Sequence, residues 1–327
     1  MKEEVPVVDF APFLAPDSTE AIAEKRKALL QEISKACEEW GFFQVINHGM
    51  NWDLVQKTFR KSQEFFWLPL EDKLKAQPAP GSSPYPTGFN NKNRSQGVQD
   101  KKELLFFFTD ESSTDASKHA YSQYNIWPDR PLHFRSVVEE YIQHAERTMK
   151  CVMAIVSESL GLPSNFLANI SQEKLNMFMM HYYPQCIAEN DRQGLGYHRD
   201  GGIITMVAQD GVEGYQVLKG DKWVTIKPIE GALTFNVSDC LQVWTNGRYK
   251  SVLHRVRNHK THERFSFAFE TTPSLHAQMA PLPQFTTDIG KPPEYRPFEY
   301  MEYLMIRLKN KSLLPNQKEG GLEDFAV

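Results

Sequence analysis

Tyr197-His198-Arg199-Asp200 places an imidazole and a carboxylate two residues apart. On a strand, positions i and i+2 point to the same face, so both groups could reach one ion from a single strand end. A third ligand must come from elsewhere. His254 is the best placed, because it follows Val252-Leu253, precedes Arg255-Val256 and falls in a β-type run. Two imidazoles and one carboxylate on one face of a metal leave three positions open, an arrangement suited to Fe(II) and O2 chemistry. A bidentate co-substrate would fill two of these positions and O2 the third. By itself a His-x-Asp triplet is a weak signal, since such pairs also arise by chance on surface strands.

Ten residues after His254 comes Arg264-Phe265-Ser266. Arg and Ser are again two apart, so a strand would turn both toward the same face as the metal. An arginine fork binds a carboxylate bidentately and a serine hydroxyl adds one hydrogen bond. The pair can therefore hold the distal carboxylate of a dicarboxylic keto acid whose other end chelates the metal. A plain strand salt bridge is the competing explanation, and it is the weaker one once the pair stands behind the His-x-Asp triplet and His254. The same three ligands could instead hold Zn(II) in a hydrolase. That reading needs a general base near the metal and gives Arg264 and Ser266 no task. A metal-free binding module would leave all three ligands unexplained. His48 reads as a turn residue, and His259 and His262 lie in a charged stretch that suits a solvated hairpin. His119, His133, His144 and His276 have no partner pattern.

These side chains need rigid elements to position them. Val5–Phe10 and Phe42–Ile46 read as strands. Ser18–Trp40 reads as a helix, with Ser18 or Thr19 as its cap and Ile22, Leu29, Leu30, Ile33 and Cys37 at helical spacing. Residues 51–66 read as a second helix, 78–97 as a long Pro/Gly/Ser/Asn loop, 102–108 as a strand and 128–160 as a long helical pattern. After about residue 172 the texture changes to short β-type runs at 176–183, 203–208, 215–218, 223–226, 232–237, 252–256 and 265–269. Seven short strands so spaced suggest a sandwich or barrel. Residues 300–308 read as a helix, and residues from Leu313 on as a loose polar tail. The expected organisation is an N-terminal mixed helix/strand region (1–171) supporting a catalytic core (172–275). A C-terminal segment (276–327) then places its helix over the pocket mouth.

The chain has 327 residues, 41% hydrophobic and 24% charged, with a net charge of −4, so nothing draws it broadly to nucleic acid or anionic membrane. No apolar run is long enough to cross a bilayer, and the acidic Met1-Lys2-Glu3-Glu4 lacks the apolar stretch of a secretory signal. The four cysteines are far apart with no CxxC pair, which fits reduced thiols in a cytoplasmic protein. A monomer is expected.

In its ordered motifs the chain resembles the plant-type 2-oxoglutarate- and Fe(II)-dependent dioxygenases, the group of flavonoid, gibberellin and alkaloid oxygenases. The likeness runs through Val5-Pro6-Val7-Val8-Asp9-Phe10, Trp40–Gly49, Tyr182-Tyr183-Pro184, His198-Arg199-Asp200, Gly211–Leu218, Trp223–Pro228, Asn246–Val256 and Arg264-Phe265-Ser266. The resemblance implies a mainly β fold with surrounding helices and a double-stranded β-helix (jelly-roll) core. It implies Fe(II) on His198, Asp200 and His254, and 2-oxoglutarate on Arg264 and Ser266 with Tyr183 as a further donor. It also implies O2 as co-substrate and ascorbate as the reductant in vitro. The family usually has Asn just before the two tyrosines. Here His181 stands there, either contacting 2-oxoglutarate through a ring N–H or forming part of the core. The presence of Asp200 disfavours the halogenases of the wider superfamily.

The activity so implied is oxidation of a small specialised metabolite or hormone by hydroxylation, desaturation or demethylation, with release of succinate and CO2. A same-fold Fe(II) oxidase that does not use 2-oxoglutarate is the alternative. By the same resemblance the substrate pocket draws on one ring of the Phe106–Phe108 run, with Phe107 the candidate, on Met179 and on Glu270, while Phe298, Tyr300 and Tyr303 either form an aromatic lid or, for two of the three, pack on the barrel. Glu270 stands where an apolar residue is common. It either turns outward or offers a carboxylate to an amine or hydroxyl.

Overall fold

Alternation of apolar and polar residues along the strands decides how this chain layers, because each strand must bury one face against helices and the other against a second sheet. The computed structural model describes residues 4–16, 19–79, 87–92, 94–95, 98–109, 121–171, 175–188, 192–310 and 320–327. We number the principal strands β1 (Val7–Asp9), β2 (Phe42–Ile46), β3 (Gly88–Asn90), β4 (Glu103–Thr109), β5 (Asn176–Tyr183) and β6 (Gln193–His198). The remainder are β7 (Ile204–Gln209), β8 (Tyr215–Lys219), β9 (Lys222–Thr225), β10 (Leu233–Val237), β11 (His254–Arg257) and β12 (Arg264–Thr271). The principal helices are α1 (Glu20–Glu39), α2 (Trp52–Phe66), α3 (Phe134–Ser159), α4 (Asp239–Trp244) and α5 (Tyr300–Asn310).

Among the described residues one sheet has eight strands in the order β1-β2-β10-β7-β12-β5-β4-β3, and a second has four in the order β9-β8-β11-β6. The β1–β2 pair is parallel and the other pairs in both sheets are antiparallel. The outer face of the large sheet presents Phe43, Phe178, Phe235, Phe265, Phe267 and Phe269, all buried. Helices α2 and α3 cover it. Phe59 of α2 stacks on Phe267 at 4.2 Å, and Tyr141 of α3 lies 5.2 Å from Phe178. Each buried ring of this kind contributes roughly 1.5–3 kcal/mol by leaving water. Helix α1 starts where Thr19 Oγ1 accepts from Ile22 N, and it buries Leu29, Ile33, Ala36 and Cys37. Asn51 caps α2 in the same way.

The opposite face of the large sheet looks toward the small one, and the two close on Phe42, Tyr183, Val207, Tyr215, Val217 and Val256. Strand register arranges its side chains in rungs. One rung runs Phe108–Met177–Glu270–Thr205–Asn236–Phe42, the next Phe106–Met179–Ala268–Val207–Thr234–Gln44, and a third Leu104–His181–Ser266–Gln209. Arg264 and Tyr183 pair on the rung beyond.

Strands from both sides of residue 171 share the large sheet, since β2 pairs with β10 and β4 with β5. Two expectations need correction. The 78–97 stretch is not all loop: Gly88–Asn90 forms β3 on the edge of the large sheet, while residues 80–86, 93, 96 and 97 lie outside the described residues. Finally, residues 320–327 are not a loose tail. Phe325 is fully buried and stacks on Phe298 at 3.9 Å, and Leu322 is buried beside it. Residues 311–319 lie outside the described residues.

Candidate metal centre

The two imidazoles meet because β6 and β11 are antiparallel neighbours with His198 directly opposite His254. Their ring centroids are 4.2 Å apart. Asp200 arrives differently from the strand alternation expected for it. His198 is the last residue of β6, and Asp200 lies beyond it in a turn that leads through Gly201 and Gly202 to β7. Gly202 is required there, because a Cβ would come 2.4 Å from the Thr271 carbonyl oxygen. The turn brings Asp200 Oδ1 to 3.5 Å from His198 Nε2 and 3.4 Å from His254 Nε2. All three ligand-type atoms lie within 4.8 Å of one another, a span that a single ion can bridge.

Each donor is oriented. His198 Nδ1 lies 2.9 Å from the Gly196 carbonyl and His254 Nδ1 3.1 Å from the Val252 carbonyl. A carbonyl only accepts, so each Nδ1 carries the proton and each Nε2 keeps its lone pair for a ligand bond. Thr205 Oγ1 donates to Asp200 Oδ2 at 2.6 Å, and Asn236 Nδ2 donates to the same oxygen at 2.8 Å. That leaves Oδ1 facing the imidazoles. Burial alone would raise the Asp200 carboxyl, but the imidazoles, His254 foremost, hold it well below the usual range. The converse acts on His254, which burial would lower and Asp200 raises. Burial and the neighbouring His254 lower His198. A charged carboxylate between a buried and a half-buried imidazole, both oriented, is a donor set that fits a divalent transition metal. Thr205 and Asn236 were not singled out in the sequence, yet both were visible there as polar residues at inward positions of apolar strands.

Farther along the same interior face, Arg264 is 1% exposed despite its charge. Its Nη1 donates to Ser266 Oγ at 3.0 Å, Nη2 to Gln209 Oε1 at 3.0 Å and Nε to the Val212 carbonyl at 3.2 Å. The guanidinium carbon lies 5.2 Å from the Tyr183 ring centroid. Gly214 gives it room: a Cβ there would lie 3.3 Å from Arg264 Cδ and 2.5 Å from the Arg257 carbonyl oxygen. Burial raises the Tyr183 hydroxyl, so it stays protonated and able to donate. His181 lies across from Ser266, stacked on Tyr183 with centroids 5.8 Å apart. Burial and then the charges of Lys102 and Arg264 push it well below its ordinary value, so its ring is neutral.

The residues expected around a substrate divide into two sets. Met179 is on the interior face, where Leu104, Phe106, Phe108, Leu175 and Met177 form an apolar cluster with Tyr121 and Leu275 packed against it. Phe107 is not among them. It points to the helix side and stacks on Trp127 at 4.2 Å, because alternation along β4 sends its neighbours Phe106 and Phe108 inward instead. Glu270 turns inward rather than outward, and its Oε1 accepts from Gly202 N at 2.8 Å. Phe298 and Tyr303 are packed, not open to a cavity: Phe298 lies against Phe325, and the Tyr303 hydroxyl donates to Asp239 Oδ2.

Residues 175–273 match the 2OG-Fe(II) oxygenase superfamily, and residues 5–130 match the N-terminal region described as non-haem dioxygenase in morphine synthesis. The chain is 34% identical to jasmonate-induced oxygenase 4 of Arabidopsis thaliana over 86% of its own length and 78% of the relative's. It is 33% identical to flavanone 3-dioxygenase of Petroselinum crispum, over 86% of its length and 73% of the relative's. Among solved structures it superimposes on JOX2, crystallised in complex with 2OG, Fe and JA, with a TM-score of 0.82 and 28% identity. That match covers 99% of this chain and 89% of the other.

Proposed function

The chain belongs to the 2OG-Fe(II) oxygenase superfamily, and on that premise we propose that His198 Nε2, His254 Nε2 and Asp200 Oδ1 hold its iron. The enzyme is a dioxygenase that requires Fe(II), 2-oxoglutarate and O2 and oxidises a small organic molecule, a hormone or specialised metabolite. When bound, Fe(II) with the keto acid supplies the oxidising power of O2, and the keto acid leaves as succinate and CO2. The convergence of two oriented imidazoles on one ionised carboxylate carries the ligand assignment.

The remaining assignments follow from the chain's own groups. Arg264 and Ser266 take the distal carboxylate of 2-oxoglutarate: the buried guanidinium spends its hydrogen bonds on neutral oxygens, and the Asp210 carboxylate whose charge it feels is bonded to Phe265 N, so the fork can still take an anion. The protonated Tyr183 hydroxyl adds a donor, and neutral His181 stands beside Ser266 to supply another. Phe106, Phe108, Met177 and Met179 form the apolar wall that keeps water from the oxidant and holds the substrate; Met179 is the expected member retained from the sequence. Glu270 borders this wall on the rung of Thr205, close enough to meet a polar substituent of the substrate.

The two facing sheets form the double-stranded β-helix. Residues 172–275 supply its metal-bearing strands, residues 1–171 extend and cover the larger sheet, and residues 276–327 close the end near Asp200. No helix among the described residues is long and apolar enough to cross a membrane. Purified protein incubated with Fe(II), 2-oxoglutarate and ascorbate should release succinate in air, and His198→Ala should abolish it. Equal succinate from the two proteins would overturn the assignment.

A further inference from the structure

We infer that Arg307, on α5, is a positioning residue for the metal centre: its guanidinium fixes the Arg199–Gly202 turn and so the direction in which Asp200 presents Oδ1. The inference rests on the ligand set proposed above. Asp200 sits past the end of β6 and is followed by two glycines, so no ladder of strand hydrogen bonds holds its backbone. Restraint must come from partners outside the turn, and each of its four carbonyls has one. Asp239 N donates to the Asp200 carbonyl at 2.9 Å and Cys240 N to that of Gly202 at 2.9 Å. Cys240 Sγ donates to the Gly201 carbonyl at 3.2 Å. These three come from the start of α4. The fourth comes from α5, where Arg307 Nη2 donates to the Arg199 carbonyl at 2.7 Å.

Arg307 is itself held rigidly. Its Nη1 donates to the Tyr303 hydroxyl at 2.9 Å and lies 3.5 Å from Asp239 Oδ2, and the Tyr303 hydroxyl donates to that same oxygen. The guanidinium also lies close over Gly201, where a Cβ would meet Nε at 3.1 Å. A planar fork with several donors can satisfy a carbonyl, a phenol and a carboxylate together, which a flexible lysine ammonium cannot do with the same geometry. Asp239 links the two halves of the clamp, with its N–H on Asp200 and its carboxylate on the Arg307–Tyr303 pair. Groups behind metal ligands typically change metal affinity by about 10–100-fold when removed.

The test compares Mn(II) affinity, by calorimetry and electron paramagnetic resonance, with thermal midpoint for the wild type, Arg307→Met, Arg307→Lys and Ile306→Ala. Ile306 packs against the core from the same helix, so its truncation loosens α5 without removing the bond to Arg199. Arg307→Met should weaken Mn(II) binding about tenfold or more, with Arg307→Lys in between. Ile306→Ala should lower the midpoint and leave affinity unchanged. A folded Arg307→Met protein that binds Mn(II) within twofold of wild type overturns the inference, as does equal weakening by Ile306→Ala. If Arg307→Met does not fold, wild-type affinity in Arg307→Lys overturns it in the same way. A wild-type chain that takes up no Mn(II) would instead sink the ligand set itself.

Discussion

At the scale of single residues, the proposed metal centre depends on groups outside its three donors. Thr205 and Asn236 both donate to Asp200 Oδ2, which commits that oxygen and frees the other. Thr205→Val preserves shape but removes one donor. It should weaken Mn(II) affinity by about 10–100-fold with little change in fold, as titration calorimetry and circular dichroism would show; unchanged affinity would mean that Asn236 suffices. Arg264→Lys should raise the KM for 2-oxoglutarate by about 10–100-fold, since a bidentate charged contact worth roughly 1.5–3 kcal/mol becomes a single one. A shift confined to substrate KM would contradict that role. His48 makes a pH prediction. Burial lowers it from 6.5, opposed by the Gly231 carbonyl 3.0 Å from Nε2. Its folded value is depressed, so the unfolded chain takes up the proton first as pH falls through 6.5. Stability is therefore full above that value, declines below it, and levels off once the folded state also protonates. His48→Asn should flatten the fall in urea-unfolding free energy as pH drops below about 6.5, relative to wild type.

At the scale of elements, alternation along β4 separates two neighbouring phenylalanines into different tasks. Phe107 stacks on Trp127 in the helix-side core, whereas Phe106 faces the interior beside Met179. Phe107→Ala should cost about 3–5 kcal/mol of stability. Phe106→Leu should be mild in denaturation and should change substrate KM while leaving that for 2-oxoglutarate alone. Reversal of the two phenotypes would show that the register of β4 is misplaced by one residue. The run Phe106-Phe107-Phe108 does not by itself reveal which ring faces in. That is settled by pairing with β5, where Phe107 lies opposite Phe178 and Phe106 opposite Met179.

At the scale of the whole molecule, the chain's two ends close on its middle. β1 and β2 extend the sheet that carries Arg264, and the last residues return to pack on the segment preceding α5. Arg296 N donates to the Phe325 carbonyl at 2.8 Å, and Val327 N to that of Glu294 at 3.1 Å. Arg199, between the proposed ligands His198 and Asp200, reaches Glu323 at 2.9 Å. Phe325→Ala should therefore lower stability by about 3–5 kcal/mol, measured by chemical denaturation; a change under about 1 kcal/mol, as for an exposed surface position, would restore the picture of a loose tail.

The sequence alone named the candidate donors, because they depend on residue types in order: His198 and Asp200, then His254, then Arg264 and Ser266, all but Asp200 lying on strands. The helices read at 18–40 and 51–66 were found at 20–39 and 52–66, because apolar spacing and the Thr19 cap are local signals. Tertiary structure decided what depends on neighbours distant in the chain. Asp200 meets the imidazoles through a turn held by α4 and α5, not through strand alternation, and its idle oxygen is fixed by strands that come later in the chain. Phe107 left the pocket because register set its face, and Phe325 became core because its partner, Phe298, lies on a different element. Local propensity acts over a few residues, whereas register and burial are set by contacts that do not exist until the sheets have paired.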